Sequence, residues 1–148
     1  MVDLQRSGVA HQIGAAEVTG RDVAVRVLDL PGLYLIPCGQ PPNTRLGEGP
    51  YTLWLAPDRA LQVGGAPPSG FVSDITDGQA VFEISGPAAS GLLAMGTSFA
   101  PPPDGCGQTL FAGVRVLVYR FGDALRLHAE RPLAAYLLQW FQTAVTAL

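Results

Sequence analysis

The chain contains no lysine: all nine of its basic residues are arginine. These stand apart, at Arg6, Arg21, Arg26, Arg45, Arg59, Arg115, Arg120, Arg126 and Arg131, so no basic stripe forms and no aromatics interleave with one. With a net charge of −3, this argues against a nucleic-acid partner. Charge of either sign is scarce, at 14% of residues against about 25% in an average domain, while hydrophobic residues make up 48%. Such a chain is expected to carry more apolar surface than a free-standing monomer hides, which points to a protein partner. No apolar run approaches about 18 residues, so no membrane-spanning helix is expected. The opening MVDLQRSGVA lacks the apolar stretch of a secretory signal. There are only two cysteines, Cys38 and Cys106, far apart and without a CxxC pair. Two free thiols in a reducing, cytoplasmic setting are therefore expected.

What is present is enough for one domain: 148 residues can bury a core without disulfides or metal. Residues 1–20 lack periodicity and read as an N-terminal arm, leaving 21–148 as a single domain. Asp22 to Leu30 alternates Val23, Val25 and Val27 on one face, the period of a half-buried strand. LYLIP is a short second strand. Cys38 to Pro50, with three prolines and three glycines, reads as loop. Tyr51 to Pro57 (YTLWLAP) is a third strand, and DRALQVGG a turn and a fourth. After the break APPSG, FVSDIT and QAVFEIS read as two strands joined at Asp77-Gly78, a favoured hairpin pair, with Ala80, Phe82 and Ile84 facing one way. The corner SGP then leads into a helix with Ser85 or Gly86 as its cap and Pro87 at the first helical position. Ala88, Gly91, Leu92 and Met95 mark its expected inner stripe. Thr109 to Glu130 holds two or three strands, with Gly122-Asp123 turning the last pair. RPLAAYLLQWFQTAVTAL is a helix opened by Pro132, with Leu133, Leu137, Phe141, Ala144 and Leu148 on one face. The order β-β-α-β-β-β-α in the second half gives an α+β domain, a mostly antiparallel sheet with helices packed on one side.

The residues that could carry chemistry do not assemble into a self-contained active site. A phosphate loop needs several glycines whose N–H groups point inward, and ISGPAASG offers Gly86 and Gly91 with a proline between them. Ser85 fails the GxSxG pattern. The cysteines sit in Gly/Pro-rich loops with no histidine near in sequence. His128 and Glu130 share a strand face, but two ligands fall short of the three or four that zinc takes; His11 lies in the arm. Asp74 and Asp77 are ordinary turn residues before they are an acid/base pair. Arg115 and Arg120 lie on opposite faces of one strand, and either could hold a carboxylate. No catalytic, cofactor-binding or metal-binding residue is therefore assigned. The aromatics suggest contact: Trp54 in YTLWLAP, with Tyr136 and Trp140 on the last helix, are the candidate interface residues.

Three blocks in order carry a family resemblance: YTLWLAPDRALQV, DITDGQAVFEISGPAASGLLAMG and TLFAGVRVLVYRFGDALRLHAERPLAAYLLQWF. Together, over about Asp22 to Ala147, they resemble the gamma subunit of heterotetrameric sarcosine oxidase. The SGPAA pattern is also similar to the folate-binding domain of glycine-cleavage aminomethyltransferases. The chain departs from the family at Ala60, where a tryptophan is usual, and in its short arm. The resemblance implies a non-catalytic accessory subunit, with a fold akin to half of the folate-binding domain, in a complex that oxidatively demethylates sarcosine or a related N-methyl amine. It implies FAD, FMN, NAD and tetrahydrofolate in the partner alpha and beta subunits and none on this chain. The alternative is a stand-alone domain binding a folate-type or carboxylate ligand, with the Ser85 to Ala88 corner and Arg115 or Arg120 contributing.

Overall fold

In a computed structural model, residues 17–70 and 72–148 are described, and they form an α+β fold of three layers. The central layer is a six-stranded antiparallel sheet. Its strands are β1 (Glu17–Gly20), β2 (Val23–Leu28), β8 (Gln79–Ser85), β9 (Cys106–Phe111), β10 (Val114–Phe121) and β11 (Ala124–Glu130), in the spatial order β1-β2-β8-β11-β10-β9. On one face lie two helices, α1 (Ala89–Gly96) and α2 (Ala134–Ala144). On the other lies a second, five-stranded sheet of order β4-β5-β6-β3-β7, from β3 (Leu33–Ile36), β4 (Arg45–Leu46), β5 (Tyr51–Ala56), β6 (Arg59–Val63) and β7 (Ser73–Asp74). Among the described residues no helix is long and apolar enough to cross a membrane.

Period-2 alternation in the central strands divides the core in two. Val23 and Val25, then Ala80, Phe82 and Ile84, Val116 and Val118, and Leu125, Leu127 and Ala129 face the helices. There they meet Leu92 and Leu93 of α1 and Leu137, Leu138 and Phe141 of α2. Phe141 is the hub, with ring centroids 5.4 Å from Phe82 and 5.6 Å from Phe111. The intervening residues Val81, Leu117 and Tyr119 face the second sheet, where Leu33, Tyr51, Leu53, Leu61 and Val63 cover them. A strand buried on both faces is a nearly continuous apolar run, which is what β8 and β10 show.

Several expectations need correction. The last four residues of the supposed arm, Glu17–Gly20, are strand β1, paired with β2; Met1 to Ala16, with Arg6 and His11, lie outside the described residues. Asp77-Gly78 turns no hairpin. It lies in a 3₁₀ turn, Thr76–Gly78, where the chain crosses from one sheet to the other, because β7 pairs with β3 and β8 with β2 and β11. Phe71 lies outside the described residues, and of the rest of FVSDIT only Ser73–Asp74 is strand. Helix α1 starts two residues late, at Ala89, with Ala88 at the cap position and no side-chain cap. Its buried residues are Ala89, Leu92 and Leu93, while Gly91 and Met95 are exposed. Leu148 is exposed too, beyond the end of α2. Cys106 belongs to a strand rather than a loop.

Candidate functional site

The Ser85–Ala88 corner is a joint. Gly86 has φ +103°, and a Cβ there would stand 2.5 Å from the Asp22 carbonyl oxygen, so only glycine fits. The same Asp22 carbonyl accepts the Ala88 N–H at 2.9 Å, and the Gly86 carbonyl accepts the Ala89 N–H at 3.1 Å. Donors that an anion loop would aim outward are spent on the chain itself, and Pro87 has none.

The other candidates separate likewise. Asp74 Oδ1 accepts both the N–H (3.0 Å) and the hydroxyl (2.6 Å) of Thr76, which holds its carboxyl below the usual range; this is turn chemistry. Cys106 is fully buried beside the Thr44 and Trp54 carbonyls, and burial pushes its thiol up to about 11. Cys38 is half-buried and free. Arg115 and Arg120 do lie on opposite faces: Arg120 donates to the Pro101 carbonyl at 2.9 Å, while Arg115 lines a cavity between the sheets. No group of three or more His, Cys, Asp or Glu among the described residues could hold a metal ion.

The candidate interface aromatics do not form one patch. Trp54 packs against the inter-sheet core, and Trp140 packs on the helix side, edge-to-face on Phe111 at 4.7 Å. The central sheet stands between them. Tyr136 is 47% exposed and its hydroxyl donates to the Ala112 carbonyl at 2.6 Å.

Pattern reading missed a polar chain on the inter-sheet face. Arg26 and Arg126 both donate to Glu83, at 2.9 and 3.0 Å. Arg126 also donates to the Tyr51 hydroxyl at 2.9 Å and stacks over Phe121 at 3.8 Å. Tyr51 bonds Tyr119 at 2.5 Å, and Tyr119 bonds His128 Nε2 at 2.8 Å. The signal was available in principle: Glu83, Arg126 and His128 alternate with the buried, helix-facing Phe82, Ile84, Leu125, Leu127 and Ala129. Only pairing register shows that they meet, with Arg126 opposite both Glu83 and Tyr119.

Electrostatics follow from this geometry. Burial pushes the Glu83 carboxyl up, but the two guanidiniums outweigh it and the net shift is down. Burial and the neighbouring Tyr51 push the Tyr119 phenol well above its usual range. Burial, helped by the charge of Arg126, pushes His128 down to about 3, so the imidazole is neutral at pH 7. The bonding also sets a direction. Arg126 can only donate, so Tyr51 accepts from it. Tyr51 then donates to Tyr119 and Tyr119 to Nε2, the one order that leaves no hydroxyl proton stranded. His128 is thereby the tautomer protonated on Nδ1, an atom that has no hydrogen-bond partner among the described residues.

His128 lines a cavity of about 510 Å³ between the two sheets. Leu35, Leu55, Leu61, Ile75, Leu117 and Leu133 give it an apolar lining, and Arg59, Arg115, Gln79, Gln108 and Glu130 supply polar groups. His128 and Glu130 thus share a face as their spacing implies, but as cavity walls rather than a bonded pair.

Comparison with known proteins adds a likeness in fold. No family model matches the chain, and no curated protein does. The fold is similar to that of a sarcosine oxidase chain. The solved structure is "Heterotetrameric Sarcosine Oxidase from Corynebacterium sp. U-96 in complex with pyrrole 2-carboxylate". The TM-score is 0.80 at 20% identity, covering 96% of this chain and 95% of that one. At that identity the likeness establishes a common fold.

Proposed function

We propose that the chain is a non-catalytic accessory subunit, of the gamma type, in a sarcosine-oxidase-like flavoenzyme complex. The observation that carries this reading is the end-to-end match: 96% of this chain lies on 95% of one chain of a heterotetrameric enzyme. The three sequence blocks, YTLWLAP, SGPAA and RPLAAYLLQW, support the same assignment independently of the fold. In this reading the subunit's work is assembly. It buries apolar surface of larger alpha and beta partners, which hold FAD, FMN, NAD and tetrahydrofolate and oxidatively demethylate sarcosine or a related N-methyl amine. A charged share of only 14% suits a permanent interface, whose core is depleted of charge. Trp54, Tyr136 and Trp140 are the proposed contact residues, and because they lie on opposite sides of the central sheet they imply two contact areas.

The test is co-expression with the large subunits, with and without this chain. Omission is expected to lower the yield of assembled complex while leaving demethylation per bound flavin in the surviving fraction unchanged. Full assembly without the chain would refute the proposal.

A further inference from the structure

We propose that the cavity between the two sheets binds a small carboxylate with an apolar body, its charged end at the Arg59–Arg115 rim and its body on the leucines beneath. The volume, about 510 Å³, falls within the range of small-molecule sites, as does the pattern of an apolar lining with few polar groups. Arg59 and Arg115 come from different sheets and are exposed, so they mark the mouth. Neither side chain makes a hydrogen bond or ion pair with another described residue, unlike Arg26, Arg45, Arg120 and Arg126. Two guanidiniums against the single carboxylate of Glu130 give the lining a net charge of +1, which suits a monoanion better than a dianion or a cation. Gln79 adds an amide, and Gln108 is held by the Leu55 carbonyl at 2.8 Å, which fixes one wall across the two sheets. Deeper in, His128 is buried with one nitrogen unpartnered among the described residues. The sheet around it is pinned by the Arg126–Tyr51–Tyr119–His128 chain, so the cavity is walled by fixed groups. This inference is independent of whether the chain sits in a larger complex.

The test is a titration of the isotope-labelled full chain with hexanoate, followed by amide and imidazole NMR shifts, with hexylamine and 1-hexanol as matched controls. Hexanoate is expected to give saturable shifts at Gln79, Gln108, Leu117 and His128 with a dissociation constant of about 1 mM or tighter. The double variant R59Q/R115Q, altered only at exposed positions, is expected to keep its circular dichroism and melting temperature. Its hexanoate affinity should fall by about tenfold or more. Absence of saturable shifts, binding of hexanol or hexylamine as tight as hexanoate, or unchanged affinity in R59Q/R115Q would each overturn the proposal.

Discussion

At the scale of single residues, His128 makes the sharpest prediction. Its folded value is about 3 and its ordinary value 6.5, so below pH 6.5 the unfolded chain takes up a proton that the folded chain refuses. Stability is therefore complete above pH 6.5 and falls toward pH 3, at about 1.4 kcal/mol per pH unit once the unfolded imidazole is charged. Between pH 6.5 and about 5.5, a unit above the ordinary glutamate value of 4.5, carboxylates such as Glu83 remain ionised in both states. Urea unfolding across that window should show the decline, and His128→Phe should flatten it. Gly86→Ala is expected to destabilise by about 1–3 kcal/mol or more, since φ +103° and the Asp22 carbonyl both oppose a Cβ. Thiol titration of the native chain should modify Cys38 and spare Cys106 until urea is added, because the Cys106 thiol is buried and held protonated.

At the scale of elements, α2 was the most legible. Its stripe Leu137, Phe141 and Ala144 is buried as the 3.6-residue period requires. Phe141→Ala should cost about 3–5 kcal/mol, because it opens a hole beneath Phe82 and Phe111. Tyr136→Ala on the opposite face should cost only about 1 kcal/mol, that of its exposed hydrogen bond to the Ala112 carbonyl, while weakening complex formation. The strands were legible from alternation wherever one face was polar. The Asp77-Gly78 pair misleads because it specifies a turn but not which strands the flanking segments join. Here Thr76 Oγ1 accepts the Leu33 N–H at 2.9 Å and the Asp77 carbonyl accepts from Arg131 at 3.1 Å, tying the turn to two distant segments. The start of α1 was misplaced because the Asp22 carbonyl, 66 residues from Ala88 in the chain, takes the N–H that a local cap would have shared.

At the scale of the molecule, α+β class and antiparallel pairing were readable, but two stacked sheets were not. A strand of the outer sheet, such as β5, alternates just as a central one does, and only register assigns it. For the same reason the His128–Glu130 spacing was visible while the cavity they line was not. Its walls come from β3, β5, β6, β8, β9, β10 and β11. The scarcity of charge and the end-to-end likeness to one chain of a heterotetramer belong to this scale, and so does the central claim. The most direct test is native mass spectrometry of this chain co-expressed with its proposed large partners. One copy per complex, released only when the assembly is disrupted, is the predicted result. A chain that stays monomeric beside fully assembled partners would contradict the account.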